Sequence, residues 1–87
     1  MKITVFESAK RHNLAEDEIR HAINNIVCDR TKRRKGELIH FAVGVLPNGK
    51  TCELLFFVEH FCEVKVFHAM SPARNQFVKD VQKRRKD

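Results

Sequence analysis

The sequence predicts an α+β domain in which two N-terminal helices and a C-terminal helix pack on a three-stranded antiparallel meander. An Asn48-Gly49 pair lies between two apolar β-type segments, which is the strongest short-range signal for a β-hairpin. A third β-type segment follows and leads directly into Ser71-Pro72, a typical helix start. A chain of 87 residues is expected to form one domain, residues 1–87.

Two helices are expected at the N-terminus. The first covers residues 4–12 and is followed by Asn13 in the left-handed conformation that often ends a helix. The alternative is a strand at residues 3–6, because three of these four residues are β-branched. The second helix, residues 15–27, has apolar residues at the spacing of one buried face and an acidic first turn. Residues 28–36 are expected to form a charged connection.

The first two strands are expected at residues 37–46 and 51–59. A two-residue type I′ turn at Asn48-Gly49 would set their register and gather eight residues on one core face. These are Ile39, Phe41, Val43, Val45, Cys52, Leu54, Phe56 and Val58. The opposite face is not cleanly polar, because it carries Leu55 and Phe57, which need a cover or a partner.

The third strand is expected at residues 63–70. A three-residue loop before it puts Val64, Val66, His68 and Met70 on the core face. A two-residue loop would instead put Lys65 and Phe67 there. The first alternative is favoured because it buries valines rather than a lysine. The last helix then begins at Ser71-Pro72 and ends in the basic run Lys83–Lys86.

The charge of the chain is positive and uneven. The net charge is +6; the first 29 residues carry four Lys or Arg and five acidic residues, whereas residues 30–87 carry thirteen and six. A basic half of this kind favours a polyanionic partner, most often nucleic acid, although a solvated basic surface is the alternative.

The composition excludes several classes of protein. No apolar run approaches the length of a membrane span. The apolar stretch near the N-terminus is too short for a signal peptide, so a cytoplasmic protein is expected. Three cysteines without metal-ligand spacing indicate reduced thiols and no metal site, and no nucleotide-binding or other cofactor motif is present. The seven Phe are mostly assigned to the core, which disfavours a binder of single strands that works by base stacking.

Metal-free cleavage of RNA needs a base, an acid and cations that stabilise the phosphate charge. His68 at the end of the third strand is the candidate base or acid, and Arg74 is the candidate ligand of the scissile phosphate. The alternatives are a half-buried histidine bonded to a backbone carbonyl and an arginine in a surface salt bridge. Further cations proposed to bind RNA are Arg33, Arg34, Lys65 and Lys79.

Three stretches of the sequence carry a resemblance to a known family. They read FESAKRHNLAEDEIRHAI (6–23), VGVLPNGKTCELLFFV (43–58) and VKVFHAMSPAR (64–74). Together they resemble the BrnT-like toxins of bacterial type II toxin–antitoxin systems, in particular their actinobacterial-type relatives. The resemblance extends over about residues 5–80.

Individual positions match the motifs of that family. Lys10, Arg11 and His12 stand where the family has a Lys and a Lys/Arg-His pair, and Ala73-Arg74 matches its strand-end motif. The chain departs from the family at Asn13, where Gly is usual. It departs again at its Phe6-Glu7-Ser8 start, where the founding members have an aromatic-Asp-Pro sequence.

The resemblance implies a RelE-like fold and cleavage of mRNA without the ribosome. It also implies a cognate antitoxin that carries a DNA-binding domain. The leading hypothesis is therefore a cytoplasmic endoribonuclease toxin. The alternative is a non-catalytic module, such as a degenerate toxin, that binds nucleic acid or a partner protein.

Overall fold

The computed structural model describes residues 1–83 and shows a mixed α+β arrangement around one sheet. The elements in chain order are β1 (Lys2–Val5), a 3-10 helix (Glu7–Lys10), α1 (Glu16–Ile23), β2 (Ile26–Arg34), β3 (Glu37–Val45), β4 (Thr51–Glu59), β5 (Glu63–Met70) and α2 (Asn75–Gln82). The five strands lie in the order β1-β5-β4-β3-β2. β1 runs parallel to β5, and the other neighbouring strands are antiparallel.

Within the α+β class, the predicted set of helices and strands was wrong. The expected pair of N-terminal helices on a three-stranded meander, and with it the expected RelE-like arrangement, is replaced by a five-stranded sheet with two α-helices within residues 1–83. Residues 4–12 are not one helix: the alternative strand forms as β1, and a short 3-10 helix follows it. Asn13 does adopt the predicted left-handed conformation, with φ of 62°.

The expected charged connection at residues 28–36 is largely strand β2. Its pattern of charged residues was mistaken for a loop, but charged side chains are common on edge strands, where they discourage pairing with other chains. β2 is such an edge, with β3 as its neighbour in the sheet. Helix α1 is correspondingly shorter than predicted and ends at Ile23, because the segment from Ile26 onward pairs in the sheet.

The β3–β4 hairpin forms at the predicted place but in a different register. Its loop has three residues rather than two, with Gly49 in the left-handed region at φ of 85° and Leu46 and Lys50 closing the turn. Such a loop is the next most common hairpin connection after the two-residue turn. Ala42 therefore pairs with Leu54, and the predicted single core face is divided between the two sides of the sheet.

The β4–β5 hairpin has the favoured three-residue loop, and Val58 pairs with Val64 as expected. A β-bulge then shifts the register between Leu55 and Phe56. Because side chains alternate along a strand, this shift places His68 beside Leu55 on the opposite side from the predicted core face. Ala69 takes the core position instead and is fully buried.

The two sides of the sheet differ in what covers them. The α1 face carries the larger core, in which Ile19 and Ala22 of α1 pack against Ala42 and Leu54. Gly44 lies on this face, where a Cβ atom would be 2.3 Å from the backbone oxygen of Ala22. Its lack of a side chain allows α1 to approach the sheet closely.

The α2 face is covered by a smaller cluster, in which Val81 and Phe77 pack near Val43 and Phe41. Helix α2 begins at Asn75, later than the predicted start at Ser71. Hydrogen bonds to Thr51 hold the segment between β5 and α2 in place. The Ser71 hydroxyl donates to the backbone oxygen of Thr51, and the Thr51 hydroxyl accepts from the backbone N–H of Ala73.

The predicted basic end of the last helix is described only at Lys83, since Arg84, Arg85 and Lys86 lie outside the described residues. No helix within residues 1–83 is long and apolar enough to cross a membrane.

Candidate active site around Glu53

The two predicted catalytic residues, His68 and Arg74, meet at the carboxylate of Glu53. The Nε2 atom of His68 lies 2.8 Å from Oε2 of Glu53. The Arg74 guanidinium donates from Nε to Oε1 at 3.1 Å and from Nη2 to Oε2 at 2.8 Å. The backbone N–H of Arg74 also donates to Oε1, at 3.0 Å. The carboxylate thus joins the end of β5 to the start of α2.

Glu53 is fully buried, the only charged residue with this property in the described part of the chain. Burial alone would raise the pKa of this carboxyl group. The hydrogen bonds from Arg74 and His68 and the charge of the guanidinium outweigh burial and lower the pKa of Glu53. Glu53 is therefore ionised at neutral pH and accepts four hydrogen bonds when Nε2 of His68 carries a proton.

The contact with Glu53 determines which nitrogen of the His68 ring carries a proton. An ionised carboxylate only accepts hydrogen bonds, so the facing Nε2 carries the proton of the neutral imidazole and Nδ1 keeps a lone pair. Nδ1 has no hydrogen-bond partner among residues 1–83. The His68 side chain is 23% exposed, so the ring is accessible to solvent although Glu53 is not.

A second histidine lies beside this ring. His12 follows the 3-10 helix, and its ring centroid is 5.8 Å from that of His68, with the planes at 76°. His12 is exposed. The site therefore presents two imidazoles, one held by a carboxylate and one at the surface.

Arg74 is bound on one side and open on the other. Its guanidinium has five N–H donors, and only those on Nε and Nη2 are directed at Glu53. The side chain is 61% exposed. The remaining donors have no partner among residues 1–83, so an anion can bind them.

The other predicted cations are spread over the molecule. The Arg34 guanidinium lies 5.9 Å from the centre of the Phe41 ring on the α2 face. Arg33, its neighbour, donates from Nη1 to the backbone oxygen of Gly36. Lys65 forms an ion pair with Glu59, which raises the pKa of the lysine mainly through their hydrogen bond.

Lys79 is exposed on α2. Lys65 lies on β5 and Arg34 on β2, so the predicted RNA-binding cations do not form one cluster.

Two residues of the site were not predicted as functional. Glu53 stands between Cys52 and Leu54, which were both assigned to the core face, and an acidic residue within an apolar strand is the sequence signal that could have found it. His12 was named only as a match to a motif of the resembled family and was given no catalytic role. Its proximity to His68 depends on how the segment after β1 returns over β5, which the sequence pattern alone does not give.

Within residues 1–83 no group of three or more His, Cys, Asp or Glu is placed to hold a metal ion. The buried thiol nearest to the site in sequence is Cys52, and burial raises its pKa to about 11, so it stays protonated at neutral pH.

No family model matches this chain, and no curated protein and no solved structure matches it.

Proposed function

We propose that this protein is an endoribonuclease that cleaves single-stranded RNA without a metal ion. The observation that carries the proposal is the Glu53 network. It holds an accessible imidazole, with a free Nδ1, beside an accessible guanidinium. A base beside a phosphate-binding group is the minimum that transfer at an RNA phosphodiester requires.

The chemistry assigns one role to each residue. Nδ1 of His68 takes the proton of a ribose 2′-hydroxyl while that oxygen forms a bond to phosphorus. The bond from phosphorus to the 5′ oxygen breaks, and this oxygen takes a proton from the imidazole of His12, which acts as the acid. The free donors of Arg74 bind the phosphate oxygens as negative charge builds on them. The products are a 2′,3′-cyclic phosphate and a 5′-hydroxyl.

Glu53 is a positioning residue in this scheme. It does not touch the substrate; it fixes the protonated nitrogen and the orientation of the His68 ring and holds Arg74 next to it. A buried carboxylate behind an imidazole performs this task in many hydrolytic sites.

The biological role proposed with this activity is that of a cytoplasmic toxin that cleaves mRNA and thereby blocks translation. It is supported by the resemblance of the Lys10-Arg11-His12 and Ala73-Arg74 motifs to the BrnT-like toxins. The proposed partner is a cognate antitoxin with a DNA-binding domain. A partner that covers Arg74 and His68 would silence the site.

A second candidate function is supported by the same network. Glu53 already neutralises Arg74, and all its polar atoms are satisfied within the fold. The network therefore also suits a stabilising element in a non-catalytic module that binds nucleic acid or a protein through its basic surface.

The test is cleavage of a fluorescently labelled single-stranded RNA by the purified protein, with EDTA present throughout. His68→Asn, which removes the base, and Arg74→Gln, which removes the charge, are each expected to lower the rate about 100-fold or more. The matched controls are His60→Asn and Lys50→Gln, exposed loop positions outside the site, which leave the rate unchanged.

The wild-type protein and the controls should yield the cyclic phosphate. Retention of uncut RNA by the wild-type protein, weakened by salt, would instead support the binding module. Equal cleavage by wild-type protein and the His68 variant would assign any activity to a contaminant or to another site.

A further inference from the structure

Three phenylalanines form a continuous strip on the α2 face. The rings of Phe6 and Phe57 are 6.2 Å apart, and those of Phe57 and Phe67 are 6.0 Å apart. Phe6 is 37% exposed, and the other two are partly exposed. We call Phe6, Phe57 and Phe67 the phenylalanine strip.

The strip is not part of the protein core. None of its residues belongs to either hydrophobic cluster, although the other aromatic residues on this face, Phe41 and Phe77, pack with helix α2. Helix α2 thus packs on the half of the face formed by β2 and β3, whereas the strip lies on the other half and is partly exposed. Exposed apolar patches of this kind often mark a binding surface.

The strip leads directly to the proposed site. Phe67 immediately precedes His68 in β5, and Leu55, which pairs with His68, is two residues from Phe57 in β4. The Cα atoms of Phe67 and His68 are about 3.8 Å apart, so the strip begins next to the residue that carries the imidazole. A strand held with its phosphate at Arg74 would have an adjacent base over these rings.

The charges on this face favour a nucleic acid as the occupant. Lys65 lies opposite Phe57 and is paired with Glu59, and on the far half of the face Lys32 and Arg34 lie over the Phe41 ring. Interleaved aromatic rings and cations are the arrangement that binds single strands, with rings for bases and cations for phosphates. A second copy of this chain would bring the same net charge of +6 against itself.

We propose that the phenylalanine strip is a base-stacking platform that binds the unpaired base next to the cleaved bond of a single-stranded RNA. This proposal rests on the proposed function for the identity of the ligand. It corrects the expectation that the Phe residues are mostly used by the core and that stacking is disfavoured. It adds a selection rule: the site prefers unpaired bases, because a base within a duplex does not expose its face.

The experiment uses two synthetic strands that the protein cannot cleave, so binding is measured apart from catalysis. One is a 2′-O-methyl RNA carrying 2-aminopurine, whose fluorescence falls when it stacks. The other has the same length and charge but abasic sugars. The double variant Phe57→Leu/Phe67→Leu keeps apolar bulk at both positions, and Phe56→Leu, on the α1 face of the same strand, is the matched control.

The double variant is expected to lower affinity for the base-carrying strand about tenfold, with loss of the fluorescence quench, and to leave the abasic strand unaffected. Phe56→Leu should leave both affinities unchanged. Phe6→Leu, at the most exposed of the three positions, repeats the test if the double variant fails to fold by circular dichroism.

Equal affinity of wild-type protein for the two strands would overturn the proposal, as would an unchanged quench in the strip variants. Loss of a self-associated species by the strip variants in sedimentation, with RNA binding intact, would show that the strip is a protein interface instead. If the quench is lost in the variants but no RNA is ever cleaved, the platform stands and the endoribonuclease proposal fails.

Discussion

The two faces of the sheet differ in the burial and the chemistry of their side chains. On the α1 face, residues such as Leu54 and Val66 are fully buried beneath a helix and a 3-10 helix. On the α2 face, the same strands carry a buried carboxylate, an accessible histidine and an open aromatic strip. Three consecutive residues of β4 show this difference. Cys52 and Leu54 face α1, and Glu53 between them faces α2. The α1 face supplies stability, and the α2 face carries the candidate chemistry.

The largest effect is expected from truncation on the α1 face. Leu54→Ala should lower the free energy of unfolding by about 2–5 kcal/mol, because it leaves a cavity in the main core. The adjacent Leu55 is half-buried on the α2 face, so Leu55→Ala should cost less than about 1.5 kcal/mol. Urea denaturation of both variants measures the difference. Equal losses would mean that the two faces contribute alike to stability.

A smaller loss of stability is expected from adding a methyl group where α1 contacts the sheet. Gly44→Ala places a methyl group against the backbone oxygen of Ala22, so the helix must move outward. Crowding of this kind typically costs about 1–3 kcal/mol. Thermal unfolding gives the loss, and amide hydrogen exchange should show faster opening of α1 than in the wild-type protein. An unchanged melting temperature would show that α1 is not closely seated on β3.

On the α2 face, the ionised form of Glu53 is expected to contribute a stability that acid removes. Its pKa is lowered in the folded protein, so this contribution is complete above the ordinary value of 4.5 and is lost as pH falls through the folded pKa. Glu53→Gln keeps the shape but loses the charge and should cost about 1–3 kcal/mol at pH 7.

Thermal unfolding followed from pH 7 to pH 3 checks this assignment. The wild-type protein should approach the Glu53→Gln variant in stability as the medium becomes more acidic, because both then lack the carboxylate charge. Parallel curves across the whole range would show that Glu53 is not the group that titrates.

The contrast between the faces also explains which features the sequence revealed. Local signals were sufficient for β4 and β5, for the loop at residues 60–62 and for the left-handed Asn13, because these depend on neighbouring residues. The position of His68 depends on a bulge, and a shift of one residue moves a side chain to the other face. His68 lies near Arg74 only because the bulge turns the imidazole toward the start of α2.

Long-range pairing was the part that the sequence did not provide. β1 pairs with β5, although the two strands are about 60 residues apart in sequence. β2 was predicted to be a loop because most of its residues are charged. Glu53 and His12 were missed for the same reason, since their roles arise from contacts between distant segments. Sequence patterns identified residues suited to the chemistry, whereas topology determined which of them meet.

The smallest effect is expected from single cations at the edge of the α2 face. Arg34 lies over Phe41 on that face, whereas its neighbour Arg33 has the opposite orientation in β2 and is bonded to Gly36. If RNA lies along the α2 face, Arg34→Gln should lower the slope of log affinity against log salt by about 1, the loss of one phosphate contact. Arg33→Gln should leave the slope nearly unchanged. The slopes are obtained by fluorescence anisotropy with the uncleavable strand, and a larger change from Arg33 would place the RNA on the other side of β2.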